Sequence, residues 1–347
     1  MADTTTYRLI LIGFGAAGQG LARILRDRGS WLEQRYGVDL RIVAVCTRNR
    51  GTVYNTTGID PAVLLDAVAQ TGHLRNLPDQ RDWAPEDMIE RADADVLVEL
   101  SATNLADGEP ATSYVRLALE NNLHVITANK GPIALHLPEL RRLATEAQLY
   151  LGYEGTVMSG TPALRLAWSS LAGCEISEIR GIVNGTTNYI LTQMEQGLSY
   201  ADVLAEAQRL GYAEADPSGD VEGYDAAAKA VILANVVMNA HLSLSDVERM
   251  GITTLTRDTI EAARAAGERW KLIARVWREG EQVRASVQPT RLPLSHPLAG
   301  VGGATNAITY TTDLLGDVTL IGAGAGGTAT GFALISDILE MHLLWGR

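Results

Sequence analysis

Leu9-Ile10-Leu11-Ile12-Gly13-Phe14-Gly15-Ala16-Ala17-Gly18 is a short apolar run, then glycines spaced G-x-G-x-x-G, then a stretch of helical periodicity. A buried strand, a tight turn and a helix follow from that order. Gly13 permits the turn, Gly15 lets backbone approach a pyrophosphate, and Gly18 lets helix and strand pack closely. The amides that open the helix then face the anion. Gly13, Phe14, Gly15, Ala16, Ala17 and Gly18 are therefore assigned to a dinucleotide cradle. The helix is expected over about Ala16 to Arg28, with Leu21, Ile24 and Leu25 on one face.

Outward from this loop, strands and helices alternate. Arg41 to Cys46, Asp95 to Leu100, Leu123 to Thr127 and Leu149 to Tyr153 read as strands. Pro61 to Gln70, Ala111 to Glu120 and Pro138 to Gln148 read as helices. The expected class is α/β, a Rossmann-type doubly wound parallel sheet over residues 1–153. Its ligand edge lies at the carboxyl ends of the strands. Arg48 follows the second strand where NAD sites usually carry an acid, and its fork of donors suits a 2′-phosphate. NADP is the expected cofactor, with NAD possible. Ser101 and Thr103 end a later strand, and Lys130 follows another in Thr127-Ala128-Asn129-Lys130-Gly131-Pro132, where Gly-Pro reads as a turn. All three are assigned to the cofactor side, although a plain turn would account for the first two.

The alternation stops at Glu154. A helix over Pro162 to Leu171, a strand over Ile176 to Val183, helices near Tyr189 to Gln196 and Tyr200 to Leu210, and a hairpin about Glu279-Gly280-Glu281 predict a second, α+β domain with an antiparallel or mixed sheet. Its densest chemistry runs from Gly211 to Lys229. Asp225 and Lys229 share a helix face within an Ala-rich, nearly apolar segment, so the lysine must be paired or functional. Desolvation and a nearby carboxylate together tune such an amine to exchange a proton with an alcohol. Glu214, Asp216, Asp220 and Glu222 lack a calcium-loop spacing; a divalent ion and a substrate ammonium both remain open for them.

Composition narrows the function. The 347 residues carry 29 basic and 41 acidic side chains, a net charge of −12, so nucleic acid and anionic lipid are poor partners. No apolar run is long enough to span a bilayer, and the N-terminus lacks a secretory h-region. With two cysteines in no metal-ligand spacing, a reducing, cytoplasmic location is expected. The six histidines are scattered, and there is no G-x-S-x-G elbow or P-loop.

Five motifs in register resemble homoserine dehydrogenase: Gly13 to Gly18, Thr127 to Pro132, Asn184-Gly185-Thr186-Thr187-Asn188-Tyr189-Ile190, Gly211 to Lys229, and Gly322-Ala323-Gly324-Ala325-Gly326-Gly327. The resemblance implies NAD(P)-dependent interconversion of L-homoserine and L-aspartate 4-semialdehyde by a homodimer. It implies a nucleotide-binding domain, 1–153 completed by helix 328–347, and a catalytic and dimerisation domain, 154–327. It makes Lys229, Lys130 and Asp225 catalytic, with Glu214, Asp220, Asn184, Gly185 and Thr186 on the substrate and Gly322 and Gly324 on the cofactor. It also implies a monovalent cation such as sodium on main-chain carbonyls of Glu154, Val157, Ser159 and Thr161. A threonine-sensing ACT module is not expected, since the sequence stops at Arg347. Two other readings stay open: a non-catalytic NADP-sensing regulator, and another reductase such as aspartate-semialdehyde dehydrogenase, which needs a nucleophilic cysteine.

Overall fold

The computed structural model describes residues 4–345; residues 1–3 and 346–347, inside the expected bounds 1–153 and 328–347, lie outside the described residues. Backbone contacts divide the chain into two units, one running to Gly160 and resuming at Gly326, the other Thr161–Ala325.

In the first unit β1 (Thr5–Ile12), α1 (Ala16–Tyr36), β2 (Val38–Thr47), β3 (Gly51–Tyr54), α2 (Pro61–Thr71), α3 (Pro85–Arg91), β4 (Val96–Glu99), α4 (Ala111–Glu120), β5 (His124–Thr127), α5 (Lys130–Glu146), β6 (Leu151–Gly152) and α6 (Gly155–Met158) follow in order. The strands lie β3-β2-β1-β4-β5-β6. β2, β1, β4, β5 and β6 are parallel, and β3 pairs antiparallel with β2 at the edge. That edge strand and α3 were not legible in the sequence. Alternation in β1 sends Leu9 and Leu11 to one apolar layer with Leu21, Leu64 and Leu334, and Ile10 and Ile12 to the other with Met88, Val115 and Leu140.

α1 outruns its expected end at Arg28 and stops at Gly37, whose left-handed φ of 68° caps it. The interior Gly29 costs a helix roughly 1 kcal/mol, and burial of Leu32 in the core offsets it. α5 likewise starts at Lys130 and carries Pro138 inside, where a helix start was expected. Gly131 and Pro132 form its first turn instead of a Gly-Pro turn, since a proline there lacks only an amide that would be unpaired anyway.

The second unit holds α7 (Ala163–Arg165), a π turn (Leu166–Ser170), β7 (Ile176–Ile182), α8 (Gly185–Met194), α9 (Tyr200–Arg209), α10 (Ser218–Val221), α11 (Tyr224–Val237), a 3-10 turn (Leu244–Asp246), β8 (Val247–Arg249), α12 (Arg257–Ala265), β9 (Glu268–Glu279), β10 (Gln282–Pro293), β11 (Thr305–Thr312) and β12 (Gly316–Ala323). Its sheet runs β12-β11-β7-β9-β10-β8, antiparallel except for β8 beside β10. The mixed sheet and the β9–β10 hairpin match expectation. β8, β11 and α12 were not read from the sequence, and the helix expected over Pro162 to Leu171 is the short α7 and its π turn.

The last element of the described residues, α13 (Gly327–Trp345), packs on α1 in the first unit. A Cβ on Gly20 would lie 1.8 Å from the Gly327 carbonyl oxygen, and one on Gly331 would lie 2.5 Å from the Gly20 carbonyl carbon. Glycine alone permits that approach.

Candidate active site

The cradle in the first unit is built from backbone. Gly13 has φ 107°, its amide donates to the Cys46 carbonyl at 2.8 Å, and a Cβ there would fall 2.3 Å from the Leu100 carbonyl oxygen. At Gly18 a Cβ would lie 2.9 Å from the Gly13 carbonyl oxygen, whereas at Gly15 nothing lies within 4 Å. Two glycines are thus required by the protein itself. Gly15 is required by nothing in the chain, which fits a position left open to a ligand. No side chain caps α1 at Gly15, so the dipole and amides of its first turn suit a pyrophosphate. Phe14 is buried under the loop.

Arg48 is exposed at the end of β2 with no ion pair among the described residues, while Arg50 Nη1 donates to the Gly72 carbonyl at 3.1 Å. Thr103 is exposed and Ser101 half-buried in the loop after β4. Asn129 caps α5: its Oδ1 accepts the Gly131 amide at 3.0 Å and its Nδ2 donates to the Ser101 carbonyl at 3.2 Å. Lys130 is therefore fixed as the first residue of α5, half-buried.

In the second unit charged side chains do the building. Lys229 is 7% exposed on α11; its Nζ donates to the Val183 carbonyl at 2.7 Å and pairs with Asp225 Oδ2 at 2.7 Å. Asn184 Oδ1 accepts from the Thr187 amide and hydroxyl, both at 2.9 Å, and caps α8. Its Nδ2 donates to Asp220 Oδ1 at 2.6 Å and to Asp225 Oδ2 at 3.0 Å. One amide thus joins α8, α10 and α11. Burial raises the Asp220 carboxyl above the usual range while the Asn184 bond pulls it down. Ammonium carries three protons; two are committed here, and the third has no hydrogen-bond partner among the described residues.

Asn184, Asp220, Asp225 and Lys229 are thus brought together. Gly185 and Thr186 open α8 beside them, Gly185 with a Cβ position 2.8 Å from the Ala304 carbonyl oxygen and Thr186 donating to the Tyr212 carbonyl at 2.6 Å. The side chain of Glu214 is exposed and makes no contact with the cluster among the described residues; only its carbonyl is engaged, by Gln208. The other loop acids diverge, Asp216 accepting the Ser218 amide and Glu222 the Thr253 hydroxyl. No metal-holding group of three His, Cys, Asp or Glu occurs among the described residues.

Gly322 and Gly324 have packing roles: a Cβ would lie 2.2 Å from Thr161 Oγ1 at the first and 2.0 Å from the Asn306 amide at the second. Glu154, Val157 and Ser159 are buried in the first unit, and Thr161 opens the second. Ser159 has φ 53° and its hydroxyl is 2.8 Å from Thr330 Oγ1, while the Thr161 carbonyl already accepts the Ala163 amide at 2.7 Å.

Both cysteines are free; burial raises the Cys46 thiol, so it is no ready nucleophile. The sequence reading missed Val183, whose carbonyl holds Lys229, and Asn129, which an Asn-Lys pair at a strand-to-helix junction could have signalled. It also missed Lys271, 1% exposed, donating to Asn188 Oδ1 at 3.0 Å and the Val301 carbonyl at 2.7 Å.

The family model "Homoserine dehydrogenase" matches residues 162–339, and "Homoserine dehydrogenase, NAD binding domain" matches 13–154. An NAD(+)-dependent homoserine dehydrogenase of Pseudomonas canavaninivorans is 47% identical over 97% of both chains. A solved homoserine dehydrogenase of Thiobacillus denitrificans is 32% identical with TM-score 0.87, covering 99% of this chain and 75% of that one. A hyperthermophilic archaeal homoserine dehydrogenase in complex with NADPH is 31% identical with TM-score 0.84, covering 98% of this chain and 99% of the other.

Proposed function

The chain belongs to the homoserine dehydrogenase family, and from that premise we propose which of its residues carry the NAD(P)-dependent interconversion of L-homoserine and L-aspartate 4-semialdehyde. Lys229 is the proton-transfer group. One observation carries this: a buried ammonium has two protons committed, to Val183 and Asp225, and a third that no described residue accepts. In the oxidative direction its neutral form takes the hydroxyl proton as the carbon beside it gives up hydride, and Asp225 steadies the ammonium formed. When bound, the dinucleotide supplies the hydride acceptor.

Asp220 and Asp225, held by Asn184, orient the amino-acid end of the substrate, with Gly185, Thr186 and Glu214 beside it along the chain. Lys130 is a second active-site lysine, a point charge for a carboxylate. Gly13 to Gly18, Ser101 and Thr103 serve the cofactor, and the open position at Gly15 supports this. Gly322 and Gly324 stay in the cofactor assignment on the strength of the motif they share with the family. Exposed Arg48, with no acid beside it in Thr47-Arg48-Asn49-Arg50, supports NADP or dual use. A monovalent cation such as sodium on the carbonyls of Glu154, Val157, Ser159 and Thr161 belongs to the same reading, as does a homodimer. Nucleotide binding is assigned to 1–153 with 328–347 and catalysis to 154–327. Two unpaired cysteines support a cytoplasmic location. Among the described residues no helix is long and apolar enough to cross a membrane.

The test is to follow cofactor reduction with L-homoserine and NAD or NADP in the wild type and in Lys229→Arg. Arginine keeps the charge but does not give up its proton. Reduction by the wild type, lost in Lys229→Arg while cofactor still binds, is the expected result. Near-normal turnover by the variant removes Lys229 from the role.

A further inference from the structure

Glu99 ends β4, an otherwise unbroken apolar strand, and is wholly buried. Its Oε1 accepts the Ser101 amide at 2.8 Å, and its Oε2 lies 3.1 Å from Thr127 Oγ1. That hydroxyl also lies 3.0 Å from the Glu99 carbonyl oxygen and accepts the Asn129 amide at 2.9 Å. Thr127 has one proton and two lone pairs to distribute among these three neighbours.

If the carboxyl is ionised, its Oε2 and the Glu99 carbonyl compete for the single Thr127 proton, one lone pair of Thr127 stays idle, and a full charge sits out of water with the Ser101 amide and the side chains of Ser101 and Asn129 as its other donors. If Oε2 carries a proton, the three contacts of Thr127 are all filled. Oε2–H donates to Thr127 Oγ1, Thr127 donates to the Glu99 carbonyl, and the remaining lone pair takes the Asn129 amide. From this count we infer that Glu99 is a neutral carboxylic acid that donates to Thr127 and so positions the loops after β4 and β5, which carry Ser101, Thr103, Asn129 and Lys130. Burial acts in the same sense, pushing the Glu99 carboxyl up against the pull of its bonds with Ser101, Thr127 and Asn129. Glu99 is a positioning residue. It sets the turn from which Asn129 caps α5, and with it the place of Lys130.

The kinetic part rests on the assignment of these loops to cofactor and catalysis; the spectroscopic part does not. The infrared difference spectrum of wild type minus Glu99→Gln, taken on the full chain at neutral pH, is expected to show the carbonyl stretch of one protonated carboxylic acid, shifted in deuterium oxide. A carboxylate band in its place overturns the inference whatever the activity. Glutamine offers an acceptor to the Ser101 amide and a donor to Thr127, so Glu99→Gln is expected to keep kcat and cofactor KM within about 2-fold. Glu99→Ala is expected to lower kcat by about 10-fold or more, with the larger change in kcat than in L-homoserine KM. A loss in Glu99→Gln as deep as that in Glu99→Ala would mean the ionised form is needed, and overturns the inference. If Glu99→Ala does not fold, the spectrum and Glu99→Gln still decide. A neutral acid in an inactive wild type would instead count against the functional assignment alone.

Discussion

The Gly13–Gly18 loop and the Lys229 cluster solve opposite problems. The first must bring backbone to a ligand, so its requirement is the absence of atoms: Gly13 and Gly18 have no room for a Cβ, and Gly15 has room that the protein leaves unused. The second must keep ionised groups out of water, so its requirement is the presence of partners. Asn184 spends both amide protons on Asp220 and Asp225, and Lys229 spends two of three on Val183 and Asp225. A cradle fails by addition and a buried charge cluster by subtraction. The lysine inventory shows the same division. Three of the 29 basic residues are lysines, Lys130, Lys229 and Lys271, and every other cation is arginine. Lysine appears only where a compact amine is half-buried or buried.

The contrast breaks most sharply at Lys229→Ala, expected to lower turnover by about 10² to 10⁴ with cofactor affinity unchanged; titration of NADP beside steady-state rates checks both halves. The cradle is sharpened by comparing two glycines. Gly13→Ala forces a Cβ onto the Leu100 carbonyl at a positive φ and is expected to cost about 2–4 kcal/mol of stability. Gly15→Ala should unfold like the wild type while binding cofactor more weakly, as paired chemical denaturation and cofactor titration would show. Equal destabilisation of the two would end the distinction.

Lys271 separates buried charge from catalysis. Burial lowers its pKa to about 8, against a partial rise from Glu195. Between that value and the ordinary 10.5 the unfolded chain holds a proton that the folded chain has released, so this group makes stability rise with pH across the window. The effect is bounded at about 3 kcal/mol, and denaturation at stepped pH should show the rise in wild type and lose it in Lys271→Met. Smallest is Arg48→Ala, expected to weaken NADP by about 10-fold relative to NAD; an unchanged ratio would assign Arg48 to the solvated turn.

The parallel strands of the first unit were legible because each is a short β-branched or aliphatic run bounded by turn residues. β3, with only Gly51-Thr52-Val53-Tyr54, was not, because an edge strand of four residues has no period to count. Lys229 was legible because a lysine in an apolar helix has few explanations. Glu214 shows the limit of the same motif: it lies in the acidic loop by sequence, yet its side chain faces solvent. Glu99 passed unnoticed as the end of a strand, since nothing local tells that its carboxyl meets Thr127, 28 residues away.

The sequence by itself determined the doubly wound sheet, the glycine cradle and the Asp225–Lys229 pair, because each rests on local pattern: a strand or helix period within each element of the sheet, and spacing within one or two turns of chain for the cradle and the pair. Only the tertiary structure decided that α13 packs on α1, that Asn184 ties three helices together, and that Thr127 and Glu99 share a proton count. Those depend on groups far apart in sequence whose hydrogen-bonding capacity must be filled once water is gone, and no local pattern records which partner fills it.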